Sequence, residues 1–361
     1  MEVAEPHPAS PGFLYRESGG NCQACATVRY ESFRGKIIVL KNWKFWLGMV
    51  ISAIALYLTL RDVDFGAFIQ AVITAHTLWL VPAAASFMAG LAVRALRWAT
   101  LMGEAPFNTT FHAMNIGYML NMVLPFRVGE IGRAVVIGQR TDVSAATALS
   151  SIVVERLLDL AAVVLMFLVF AQFIPMDAAL SRAATISAGL IAILLIGVGV
   201  VIWQSARFEG ILAGLLARFP RINAQRWLQR YRDFCAGFKL INSGKRFAIV
   251  LLTTLGIWLA QLLVTYFVMA AFLPPRMDQA GLMLVAANLG GAAPSAPGGL
   301  GPVQFFARTA LVVPFNIDPT QATAFVFVWS LAQQLALIVL GMIGMVRIGL
   351  SFGQLRPAKA V

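Results

Sequence analysis

Charge is scarce in this sequence. Only 12% of its 361 residues are charged while 59% are hydrophobic, and the mean hydropathy is +0.78. Soluble domains run near half apolar and about a quarter charged, so a water-soluble globule is excluded. Cysteine and histidine are also sparse. Cys22 and Cys25 make a single CxxC, Cys235 lies far from both, and His7, His76 and His112 share no ligand spacing. A closed zinc site takes four ligands, so no metal and no cofactor is expected. No nucleotide-binding glycine loop occurs, so no chemistry driven by nucleotide hydrolysis is expected. The first 36 residues hold Pro6, Pro8, Pro11 and Gly19–Gly20 but no apolar core. They therefore cannot be a signal peptide. Residues 1–40 are expected to form a disordered tail, either native or an upstream extension of the true start.

Long apolar runs are abundant. They fall near 45–60, 77–100, 146–173, 183–203, 247–272 and 321–346, and about 20 apolar residues suffice to cross a bilayer. Lys and Arg exceed Asp and Glu by 28 to 16, a net charge of +12. In a membrane protein such an excess belongs to cytoplasmic loops facing anionic headgroups, and no nucleic acid is expected as a partner.

Two further stretches, 107–139 and 280–313, are apolar but interrupted, and charge decides how they lie. Arg29, Arg34, Lys36, Lys41 and Lys44 precede the first run, which places the N-terminus inside. Loop 61–76 has no basic excess and suits the outside; Arg94 and Arg97 close the second run on the inside. Segment 204–246 carries nine basic residues against Glu209 and Asp233, and Arg347, Arg356 and Lys359 follow the last run. Both are assigned inside. Parity then requires 107–139 to enter and return on the inner side, and 280–313 to do so from the outer side. The expected fold is an all-α integral membrane protein with six full spans and two re-entrant hairpins, about eight hydropathy peaks. The polytopic domain covers 41–350, with basic cytoplasmic segment 204–246 and a cytoplasmic tail over 351–361.

A weak internal match, 141–160 on 317–336, aligns Asp142 with Asp318 and Ala146–Ala148 with Ala322–Ala324. It is either a true repeat or shared helical composition. If true, parity makes the two copies inverted, a plan that transporters use.

Polar residues gather at three places. "NMVLPFRVGEIGR" (121–133) holds Pro125 and Gly129, which break a helix and permit close approach. Irregular backbone at membrane depth requires protein or a water-filled cavity around it. A half-helix starting after the break offers a partial positive charge, and Arg127 and Arg133 add forked donors suited to phosphate. Glu130 is then a counter-charge or a proton carrier. The alternative is a hairpin that merely satisfies its own charges. In "SSIVVERLLDLAAVV" (150–164), Glu155 and Asp159 share one helix face and Arg156 reaches Asp159. Each charge there costs at least about 2.5 kcal/mol by insertion scales, so the set must face the hairpin, either as a site or as a structural pin. In "AAPSAPGGLGPVQFF" (292–306), Pro294, Pro297, Gly298, Gly299 and Gly301 rule out one straight helix.

Together with "RALRW" (94–98), these stretches resemble the transmembrane flippase-like domain of lysylphosphatidylglycerol synthases and its stand-alone relatives, including a hopanoid-associated branch. The resemblance covers about residues 41–350. It implies a multi-pass bacterial inner-membrane protein, both termini cytoplasmic, that moves or handles lipids and is not itself an enzyme. Arg97, Asn121, Arg127 and Arg133 would bind an anionic, phosphate-bearing lipid. Glu130, Glu155, Arg156 and Asp159 would balance charge or carry protons. Membrane lipids, and enzymes of lipid biosynthesis, are the partners it implies. The alternative is an accessory protein of a lipid pathway such as hopanoid synthesis that turns nothing over. One departure stands out: Gln304 occupies a place where the family usually has glutamate. The soluble aminoacyl-transferring domain of the synthases is not matched, so lipid lysylation by this chain alone is not expected.

Overall fold

The structure is a computed structural model. It describes residues 43–103, 105–124, 127–173, 205–217 and 244–350, with a few isolated residues between 189 and 232. The described residues are helical, with no strand among them. Eleven α-helices are assigned there: α1 (Trp43–Leu60), α2 (Phe65–Ile73), α3 (Leu80–Met102), α4 (Phe107–Val123), α5 (Gly129–Arg140), α6 (Ala145–Phe170), α7 (Ser205–Ala217), α8 (Gly244–Phe272), α9 (Met277–Ala292), α10 (Pro302–Phe315) and α11 (Pro319–Ile348).

Length and composition let three helical stretches cross a membrane: 77–102, 244–272 and 319–348. α1 and α2 make a fourth if their 83° bend is one broken span. The sequence places α2 in a plain outer loop. It is instead a capped helix: the Asp64 carboxylate accepts from the Gly66 and Ala67 N–H groups at 2.8 and 3.1 Å. Its run of apolar residues after a good N-cap is enough to close two turns. α6 has 26 residues, about 39 Å at 1.5 Å per residue, long enough to cross although three charges sit inside it. All but two residues of the expected span at 183–203, about half of segment 204–246, and both tails lie outside the described residues.

α8 shows how the bundle meets its solvent. Leu251, Leu252, Leu255 and Leu259 are exposed, while Thr253, Thr254, Ile257, Trp258 and Thr265 are buried. A leucine face turned outward, with threonines turned inward, is the reverse of a water-soluble helix and fits a lipid surround.

The two interrupted stretches are hairpins that enter from opposite ends. The end of α3, the end of α5, the start of α6 and the start of α8 meet around one cavity lined by Met102, Gln139, Ser144 and Arg246 among others. The Arg140 guanidinium also donates to the Gly349 carbonyl beyond α11, at 3.2 Å. The α4–α5 hairpin therefore enters and returns at this end. At the other end, the His76 N–H donates to the Ala271 carbonyl at 2.9 Å, and the Asp64 N–H to the Thr320 hydroxyl at 3.4 Å. The α9–α10 hairpin opens here, with the Arg276 guanidinium 5.9 Å from the Phe315 ring and Arg308 3.8 Å from Asp62.

The order long helix, broken hairpin, N-capped long helix thus occurs twice, as α3–α6 and as α8–α11. Ser144 caps α6 and Asp318 caps α11. Each long helix serves the other copy's hairpin. Phe170 of α6 lies against Gly281 of α9, and Gly341 and Gly344 of α11 lie against α4 at Asn115, Met119 and His112.

Candidate functional site

The arms of the first hairpin cross at Gly117 and Gly129. A Cβ on Gly129 would collide with the Gly117 carbonyl oxygen and sit 2.7 Å from the Asn121 amide oxygen. That amide oxygen accepts the Gly129 N–H at 2.8 Å and so satisfies a free donor at the start of α5. Pro125, expected to break the helix, lies outside the described residues. The break itself is plain, since α4 ends at Val123, α5 begins at Gly129, and Arg127 between them has φ of +52°. A non-glycine residue in this region is strained, which is tolerated where the surroundings require it. The requirement here is reach: the Arg127 guanidinium donates to the Gly291 carbonyl near the end of α9. The partial negative charge of a helix C-terminus favours that cation.

The second hairpin breaks over 293–301. Pro294 follows the end of α9, Pro297 opens a short 3-10 turn, and Gly298, Gly299 and Gly301 have φ of +74°, +72° and +95°. Only glycine takes three such angles so close together without strain. Gln304 is fully buried. Its amide oxygen accepts the Gly301 N–H at 2.8 Å and its amide nitrogen donates to the Ser330 hydroxyl at 3.0 Å. Asn121 and Gln304 therefore do the same work, each closing the start of the second helix of its hairpin.

Beside the first tip lies a charge network on α3, α5 and α6. Arg97, with no exposed surface, sits 2.8 Å from Asp159 and 3.4 Å from Glu155 and donates to the Thr254 hydroxyl at 3.2 Å. Arg133 donates to Glu155 at 3.0 Å and lies over the Trp98 ring at 4.6 Å. Trp98 is fixed in turn by its indole N–H, which donates to Ser151 at 2.9 Å. Arg94 reaches Asp159 at 3.6 Å. Arg156 spans Glu130 at 3.4 Å, Glu155 at 3.5 Å and Asp159 at 3.7 Å. Four arginines face three carboxylates, and Arg127 adds a fifth cation. Charges so deep persist because each has opposite charge or an aromatic face beside it. The surplus is positive. Within Arg133, Nε and Nη1 have no hydrogen-bond partner among the described residues.

A family model described as the lysylphosphatidylglycerol synthase TM region matches residues 45–341. The chain belongs to that family. The matched range takes in both hairpins and every residue of the network. Nothing among curated proteins or solved structures matches the chain. Membership in the lysylphosphatidylglycerol synthase TM family ties it to membrane lipids.

Of the residues the sequence assigns to anion binding, the four are not placed alike. Arg97 and Arg133 are interior ion-pair partners, and Asn121 is a cap. Arg127 alone of the four is an exposed cation, and it faces the opposite hairpin. Glu130, Glu155, Arg156 and Asp159 converge on one another. The free helix N-terminus expected at α5 is partly occupied, since Asn121 takes its first N–H. The sequence does not single out Arg94, Trp98, Ser151 and Thr254 as site residues, nor Tyr118, whose ring lies 5.9 Å from the Arg133 guanidinium. The available signal was the three-residue spacing of Arg94 and Arg97, which puts both on one face of α3 toward α6.

Proposed function

We propose that the chain translocates an anionic, phosphate-bearing lipid across the bacterial inner membrane. In this reading the headgroup sits between the two hairpin tips and the acyl tails stay in the bilayer. The observation that carries it is the bridge from Arg127 to the Gly291 carbonyl, which ties together two hairpins entering from opposite ends. A phosphate accepts forked guanidinium hydrogen bonds better than a single peptide carbonyl does. It therefore competes for Arg127, releases the bridge and lets the tips part. Arg156, partly exposed and held by Glu130 in the first turn of α5, supplies a second donor on the side of the first hairpin. Binding energy is thereby converted into opening, which is what a carrier with no fuel of its own requires. Both termini and segment 204–246 face the cytoplasm, and the partners are membrane lipids together with the enzymes that make them. The chain acts as a carrier and not as an enzyme.

The test is reconstitution into liposomes with fluorescent lipids in one leaflet. Wild type should speed the exchange of anionic phospholipid. Arg127→Ala should abolish it while the protein stays folded, and Arg127→Lys should restore only part, because a point charge lacks the fork. Binding of lipid without any exchange by wild type would favour an accessory protein that presents lipid to a biosynthetic enzyme.

A further inference from the structure

A cavity of about 760 Å³ opens at the end of the bundle where the first hairpin enters, and the charge network does not contribute to it. Its lining comes from four elements: Met102 and Gly103 at the end of α3, Gln139 and Arg140 at the end of α5, Ser144 and Thr147 at the start of α6, and Arg246 at the start of α8. Pro106, just before α4, and the link 141–143 between α5 and α6 line it as well. The size falls within the range of about 300–1,000 Å³ that holds small-molecule sites. The lining is polar, and among the described residues its charged members are Arg140, Arg246 and Asp142, a surplus of one positive charge there. Arg140 uses one nitrogen on the Gly349 carbonyl and remains exposed, as does Arg246. The start of the 26-residue α6 adds its own partial positive charge. Exposed apolar residues follow on the same two helices: Leu149 and Val153 on α6, Phe247 and Leu251 on α8. Cations at the mouth with an apolar track beside them match a molecule that is both phosphate and hydrocarbon.

We infer that this crevice is a second lipid site, which takes the phosphodiester headgroup of an anionic phospholipid between Arg140 and Arg246. Such a headgroup links the end of the first hairpin to α8. It holds that hairpin in place from its open end, while the tip engages a lipid in transit. Asp142 opposes the bound phosphate and limits its affinity. The site stands apart from Arg127, so its test does not depend on transport.

Binding is measured on the purified full chain in a zwitterionic detergent, as thermal stabilisation on titration with short-chain phosphatidylglycerol. Phosphatidylcholine of equal chain length and inorganic phosphate serve as comparisons. All variants carry Arg127→Ala, so that the tip contributes nothing. The Arg140→Gln/Arg246→Gln pair should weaken phosphatidylglycerol binding about tenfold or more, and Asp142→Asn should strengthen it. Glu104, adjacent in sequence to lining residues and outside the described ones, is left unchanged throughout. Equal stabilisation by inorganic phosphate would assign the site to a free phosphate group and overturn the lipid. Unchanged binding in the double variant would overturn the site altogether. If the double variant does not fold, Asp142→Asn decides: no gain in affinity refutes the inference.

Discussion

Glu155→Gln removes one negative charge from a position with no exposed surface, where three arginines converge. Arg97 retains Asp159 at 2.8 Å and the Thr254 hydroxyl, and Arg156 retains Glu130 and Asp159. Arg133 retains no carboxylate at all, because Glu155 is its only ion-pair partner among the described residues. Its remaining support is the faces of Trp98 and, farther off, Tyr118. Removing one partner of a buried pair costs about 3–5 kcal/mol, since it leaves the other charge uncompensated. At about 2 °C per kcal/mol, the lower figure for larger domains, the melting temperature should fall by about 6–10 °C. The assay is thermal unfolding of the purified protein in detergent, followed by tryptophan fluorescence, with Arg133→Met/Glu155→Met beside the single variant. An apolar pair of similar size should recover most of the loss, because the destabilisation comes from the orphaned charge. A melting temperature within 2 °C of wild type for Glu155→Gln would refute the reasoning, as would a double variant no better than the single one.

Other consequences follow from the same contacts. Glu130→Gln frees Arg156 from one carboxylate and should lower thermal stability by about 1 kcal/mol, the pair being partly exposed. Anionic lipid should restore the loss by filling the cation site; an unchanged melting temperature together with transport that no longer responds to pH would make Glu130 a proton carrier instead. Gly129→Ala should disrupt the first hairpin, because the new methyl group meets the Gly117 carbonyl and the Asn121 amide. Expression as a folded protein with wild-type lipid binding would show that the arms do not cross there. Single cysteines at positions 100 and 139 in a cysteine-free background should label from the cytoplasm, and labelling of 139 from the periplasm alone would overturn the re-entrant hairpin.

Charge parity leads to two hairpins, because the cost of burying charge leaves few ways to thread 107–139 and 280–313, and in the structure α4 folds back on α5 and α9 on α10. The Glu155 and Asp159 face was legible for the same reason. Their partners were less so. Arg94 and Arg97 mark the inner end of the second run by the rule for cytoplasmic arginines, and the family resemblance makes Arg97 an anion ligand, yet Arg97 is fully buried among carboxylates, because α3 runs five residues past it to Met102. The role of Asn121 was hidden because a cap depends on where the next helix begins, not on local sequence. α2 was missed because nine residues are too few to register as a span. Arg127 was identified as the cation of the tip, but its contact with Gly291 joins residues 164 positions apart and nothing local encodes it.

The central claim is that an anionic headgroup takes Arg127 and separates the hairpin tips. Spin labels on cysteines replacing Val123 and Leu289, both exposed and one on each hairpin, report that separation directly once Cys22, Cys25 and Cys235 are changed to serine. In nanodiscs of phosphatidylcholine the distance distribution should be narrow and short. Phosphatidylglycerol should add a longer population that Arg127→Ala shows in both lipids, since that variant has no bridge to break. A single unchanged distance in wild type with either lipid, and in Arg127→Ala, would contradict the account.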